Sequence, residues 1–229
     1  MALYAIGDLH LCLGAPKPMD VFGGSWVGYM DKLKEGLSVI GPEDTTVLLG
    51  DLSWALDLDG AQADFAFINS IPGRKIILKG NHDYWWSTVK KFQQFCAENG
   101  FADMHILNNN HFEYNGFAVC GTRGWFFEEE RSGEHDEKVF KRELLRLEAS
   151  LKSAGELPKL VFLHYPPRYK GYECPEILEL LKTYGVRACY FGHLHGASHG
   201  LALEGIWDGT ELRLVAADKL DFKPFLVLP

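Results

Sequence analysis

The chain has 229 residues, of which 47% are hydrophobic and 24% charged; 23 Lys+Arg stand against 31 Asp+Glu, a formal net charge of −8. Such composition excludes a disordered tail, a collagen-like chain or a coiled coil, and the length predicts one domain, residues 1–229, that needs no disulfide or metal merely to fold. The acidic balance argues against a general nucleic-acid or membrane-surface binder, while an anionic substrate stays compatible with a site carrying local positive charge such as metal ions.

Short apolar runs recur along the chain, and each ends in a polar cluster: LYAI (3–6) in GDLH, TVLL (46–49) in GDLS, KIILK (75–79) in GNHD. FAVC (117–120) ends in GTRG, KLVFL (159–163) in HYPP, and RACYF (187–191) in GHLH. These read as strands buried on both faces, with glycine allowing a sharp exit at most of them. Helical patterns fall between them, at 29–40, 60–71, 86–99, 136–154 and 175–184. In the fourth, Phe140, Leu144, Leu147 and Leu151 form an apolar stripe. Strands alternating with helices predict α/β architecture. Strand-like segments at 201–207, 211–217 and 224–228, with a turn at Asp208-Gly209, predict added antiparallel strands.

The five cysteines, Cys12, Cys96, Cys120, Cys174 and Cys189, are odd in number and form no CxxC pair. A disulfide framework or cysteine-based zinc site is therefore not expected, and a reducing, cytoplasmic setting fits. Asp8 and His10 follow Met1 too closely for a signal peptide, and no apolar run approaches about 20 residues, the length of a membrane span.

Five of the nine histidines sit where predicted strands end: His10, His82, His164, His193 and His195. Singly, each is explained as a surface or capping residue; their ordered recurrence after separate buried strands is not. Ligands of α/β sheets bind outside the carboxyl ends of the strands. Those ends would gather Asp8, His10, Asp51, Asn81, His164, His193 and His195. Seven N/O donors with no thiolate exceed the needs of one tetrahedral ion and suit two divalent first-row ions, about 3.5–4 Å apart, that work on a phosphorus centre. One carboxylate must bridge them from a central strand, and Asp51 is the candidate. His105, His111, His135 and His199 lie outside these motifs and receive no role.

The blocks GDLH, GDLS, GNHD, HYPP and GHLH, in this order over residues 7–196, resemble the calcineurin-like metallophosphoesterase family. The resemblance implies a two-sheet α/β/β/α sandwich of mixed sheets flanked by helices, with the metal site at the C-terminal strand ends. It implies two divalent ions (Mn, Fe or Zn), one held by Asp8, His10, Asp51 and His195, the other by Asp51, Asn81, His164 and His193. His82 then protonates the leaving oxygen, Asp83 orients it, and a metal-bridging hydroxide attacks phosphorus in a small phosphodiester or phosphomonoester. Trp54 departs from the family: many members, protein phosphatases above all, carry a carboxylate there, so the chain is expected outside that branch, with a more apolar wall. Arg123 and Arg168 are candidate phosphate contacts, since a guanidinium matches phosphate bidentately. Trp125, Phe126 and Phe127 before the acidic Glu128–Glu130 read as a strand end with a solvated charge run, or else as a substrate-covering segment. Two rival readings are a non-catalytic scaffold of the same fold and a nuclease of the same family.

Overall fold

The structure, a computed structural model, describes residues 1–125 and 134–229. Phe126, Phe127 and Glu128–Glu130 lie outside the described residues. The fold is mixed α/β with two mixed sheets and their helices, and the chain divides into two compact units. The first comprises Met1–Ile106 with Val215–Pro229, the second Leu107–Leu214.

In the first unit, β1 (Leu3–Ile6), β2 (Thr45–Leu48), β3 (Arg74–Ile77) and β4 (Met104–Ile106) run parallel, and β13 (Phe225–Leu228) pairs antiparallel with β1. The order β13-β1-β2-β3-β4 makes β2 the central strand. Register aligns Ile6, Leu48, Ile77 and Ile106 in one row across the sheet. That row joins the core with Leu33 and Leu37 of α1 (Tyr29–Leu37), Phe65 and Ile68 of α2 (Gln62–Ser70), and Phe92 and Phe95 of α3 (Val89–Asn99). Tyr29, Leu33 and Leu37 recur at four-residue spacing and are all buried, which is why this stretch is a helix lying on the sheet. The α3 helix starts three residues later than the apolar pattern predicts. Thr88 caps it by accepting the Lys91 amide, and Trp85, ahead of the expected start, fills the core against Phe65 and Phe92.

In the second unit the sheet order is β11-β12-β10-β7-β6-β5. Its strands are β5 (His111–Tyr114), β6 (Phe117–Thr122), β7 (Lys159–Leu163), β10 (Ala188–Phe191), β11 (Gly205–Trp207) and β12 (Thr210–Leu214). β6, β7, β10 and β12 are parallel, with antiparallel β5 and β11 at the edges. Asp208 and Gly209 both have positive φ (43° and 86°), the two-residue turn that Asp-Gly favours, and they join β11 to β12. β12 itself runs parallel to β10, so only β11 and β13 match the expected antiparallel additions. A small hairpin, β8 (Arg168–Tyr169) with β9 (Tyr172–Glu173), precedes α5 (Pro175–Thr183); α4 (Glu134–Ser153) packs on β6. Among the described residues no helix is long and apolar enough to cross a membrane.

Candidate metal centre

In the first unit, the chain leaving β1 and the chain leaving β2 stay hydrogen-bonded beyond the sheet. Asp8 N donates to Gly50 O, His10 N to Asp51 O and Leu11 N to Leu52 O, each at 2.9 Å. The alternation buries Leu9, Leu11 and Leu52 beneath the loops. Asp8, His10 and Asp51 all take left-handed backbone, with φ of 62°, 46° and 50°. Such conformations cost of order 1–3 kcal/mol each for non-glycine residues and persist where the surroundings enforce them, typically at functional sites. Their side chains are almost wholly buried, at 0%, 3% and 1% exposure.

Ligand atoms of Asp8 lie within 4.8 Å of ones on His10 and on Asp51. His10 Nε2 stands 3.9 Å from Asp51 Oδ2. That is too long for a hydrogen bond and short enough for one cation to touch both, given metal–ligand distances of about 2.0–2.2 Å. Two carboxylates buried side by side are costly without a cation. Two oxygens and one imidazole nitrogen match a first-row divalent ion, so the residues present fit the metal.

The β3 exit packs against the same loop. A methyl group on Gly80 would lie 2.1 Å from Asp51 Oδ1, and one on Gly50 would lie 2.3 Å from Gly80 N, so both glycines are required by close approach. Asn81 lies between Gly80 and His82, and the His82 amide donates to Asp51 Oδ1 at 2.7 Å.

Asp83, wholly buried, acts on the loop. Its Oδ2 accepts from Asp51 N (2.8 Å) and Gly80 N (2.7 Å), and its Oδ1 from Leu52 N (2.8 Å), Ser53 N (3.4 Å) and Trp85 Nε1 (2.8 Å). The His82 ring meets another partner, Tyr84 Oη, 3.2 Å from Nδ1. The carboxylate expected to orient His82 therefore fixes the backbone that carries Asp51. Asp83→Ala would strand several buried amides, so urea denaturation of metal-free protein should show a loss of roughly 3–5 kcal/mol. A loss below about 1 kcal/mol would mean that these bonds do not hold the loop.

Trp54 forms the wall of this half-site. Its ring stacks on His10 (centroids 4.8 Å, planes 21° apart) and lies 4.7 Å from the His82 ring. Lys17 Nζ stands 3.3 Å above the indole, and the indole N–H points to Met19 Sδ. Below, Asp64 accepts from Leu13 N and Ser53 Oγ, tying the two loops together. Burial raises its carboxyl pKa despite those donors. Tyr29 Oη donates to His10 O and contacts Cys12 Sγ; burial pushes the phenol well above its ordinary value.

In the second unit, His164 follows β7 and His193 follows the adjacent β10. His164 is fully buried, and its amide donates to Arg123 O at 3.1 Å. The His164 and His193 rings are 5.2 Å apart, and His193 has φ 72°. Tyr165 packs on His193 at 4.5 Å. His195 opens a 3-10 turn, Gly196–Leu201, and a ring nitrogen of His199 lies within 4.8 Å of one on His195. The sequence motifs give His199 no role, and its four-residue spacing from His195 is the signal in the sequence for this proximity. Arg123 places its guanidinium 3.6 Å from Glu143 and against the Trp125 ring, while Arg168 pairs with Glu173 at 2.7 Å. Both arginines thus have partners within their own unit.

These motifs coincide with a family signature. The model of the calcineurin-like phosphoesterases matches residues 1–197, and the chain belongs to that family. Solved structures share the fold at low identity. The phosphopantetheinyl hydrolase PptH from Mycobacterium tuberculosis aligns with TM-score 0.62 and 14% identity, over 100% of this chain and 96% of that one. The protein TT1561 of Thermus thermophilus aligns with TM-score 0.60 and 16% identity, over 99% and 97%. The protein of unknown function AQ665 from Aquifex aeolicus aligns with TM-score 0.54 and 19% identity, over 98% and 95%. No curated protein matches closely enough to count as a relative.

Proposed function

We propose that the chain is a dinuclear-metal-dependent hydrolase of small phosphoesters, diester or monoester, built as one phosphoesterase domain. The observation that carries the reading is the buried, left-handed Asp8–His10–Asp51 constellation within the first two motifs of the family match. Asp8, His10, Asp51 and His195 would hold one ion, and Asp51, Asn81, His164 and His193 the other, with Mn, Fe or Zn suited to such donors. Bound there, the two ions supply an activated water and positive charge opposite the phosphoryl oxygens. His82 gives its proton to the departing oxygen, held by Trp54 on its flank and Tyr84 at Nδ1. Arg123 and Arg168 grip phosphate only by turning from Glu143 and Glu173. The five free thiols support a reducing, cytoplasmic setting.

The test is hydrolysis of bis-p-nitrophenyl phosphate and p-nitrophenyl phosphate by protein stripped with chelator and reloaded with Mn²⁺. The expected result is turnover that vanishes on stripping and returns with the ion. Folded, metal-loaded protein inert to both esters and to a panel of phosphorylated metabolites would overturn the assignment.

A further inference from the structure

On the second unit, α4 and α5 leave an open cleft of about 850 Å³, lined by Leu144, Leu145, Pro175 and Leu180, with Lys141 and Glu148 of α4 and Glu176 and Glu179 of α5 at its edges. Leu145 stands beside it 67% exposed, a large apolar side chain on a helix that otherwise shows charge to solvent. The charges along this stripe follow a pattern. From the N-terminal end they read Glu137, Lys141, the Leu144-Leu145 pair, Glu148, Lys152. Each charged pair is already an i,i+4 ion pair within the helix, Lys141 with Glu137 at 2.6 Å and Lys152 with Glu148 at 2.9 Å, which places all four on one side.

We infer that this face binds a second copy of the chain, with the two α4 helices antiparallel about a two-fold axis between Leu144 and Leu145. In that register Lys141 of one protomer faces Glu148 of the other, Glu137 faces Lys152, and Leu144 faces Leu145. Every contact occurs twice, as a two-fold interface demands. A second copy is the occupant because the stripe is complementary to itself reversed: a partner of uniform charge would meet repulsion at half of the positions. Knob and hole are also neighbours on one surface, so the exposed Leu145 enters the cleft of the partner while the partner's Leu145 enters this one. The α4 helix has 20 residues, a span of about 30 Å, so the contact falls in the small, reversible class.

Sedimentation velocity on the full chain, from micromolar to millimolar, tests the assignment. Wild type should show a reversible monomer–dimer equilibrium. Lys141→Glu places like charges opposite each other at two symmetric contacts, and Glu148→Lys does the same; each should weaken the dimer about tenfold or more. The double variant Lys141→Glu/Glu148→Lys restores opposite charges across the axis and should recover most of that loss. The double variant breaks both intrahelical pairs, so a purely intrahelical role makes it worse than either single change. Leu145→Glu should abolish the dimer, with circular dichroism confirming the fold. Wild type that stays monomeric at the highest concentration, or a double variant no better than the singles, overturns the inference.

Discussion

Asp51→Asn should cost more activity than any other single ligand change, on the order of 10³-fold, because its carboxylate is assigned to both ions whereas every other ligand serves one. The substitution is also the cleanest available. Asparagine tolerates the φ of 50° at this position, and its side-chain oxygen can still accept the His82 amide that Oδ1 now accepts. What is lost is the negative charge that Oδ2 presents to His10. Stability separates this from misfolding. In metal-free protein Asp51→Asn removes one of two carboxyl groups buried side by side, so it should melt no lower than wild type. Added Mn²⁺ should then stabilise wild type, by about 2.7 kcal/mol per site at a hundredfold excess over Kd, and the variant far less. Two bound ions and near-normal turnover in Asp51→Asn would remove the bridging role.

Much of the fold is legible because its strands are buried on both faces. β1 and β7 fall at the residues where the apolar runs lie; β2 and β3 start one residue before their runs and stop one and two residues short of the run's end, β6 goes two residues past its run, and β10 starts one residue into it. In the two large sheets, the strands that pattern reading passes over, β4 and β5, lie at sheet edges; the short hairpin of β8 and β9 is passed over as well. Met104–Ile106 is three residues with a histidine in the middle, and β5 exposes Glu113. An edge strand serves one neighbour, so it needs fewer apolar residues to be stable and shows less in the sequence. The partition into two units is equally silent. The first unit is completed by residues 215–229, which return to pair β13 with β1, and no linker composition marks a non-local pairing.

At the site, residue types are readable and conformations are not. GDLH and GNHD announce donors after strands, and Gly80 is explained only once Asp51 is seen against it. Aspartate and histidine carry no mark of left-handed backbone, so the strain at Asp8, His10, Asp51 and His193 emerges only in three dimensions. Asp83 reads as a partner for its neighbour His82, yet its bonds reach amides some thirty residues earlier in the chain. Trp54 reads from sequence as an apolar wall. Stacking on His10 and contact with His82 make that wall specific, because one indole holds two imidazoles in place.

His82→Ala should leave metal content intact and lower kcat by about 10²–10⁴-fold, the usual worth of a positioned proton donor. The ring is flanked by Trp54 and Tyr84, and its Nδ1 faces Tyr84 Oη. As an imidazolium the ring donates Nδ1–H to the Tyr84 phenol oxygen and keeps Nε2–H for the leaving oxygen, and neutral imidazole is left after the transfer. The defect should therefore follow the leaving group. An alkoxide of high pKa cannot depart without a proton, whereas p-nitrophenolate needs little help, so alkyl esters should suffer most and p-nitrophenyl esters least. Tyr84→Phe should give a smaller loss with the same leaving-group trend, since it removes the hydrogen bond at Nδ1 and keeps the His82 ring. A histidine that only packs the strand exit would act through metal affinity or stability, and both esters would then slow equally. Rates for the two esters on metal-replete variant protein decide: equal defects would take His82 out of the proton transfer.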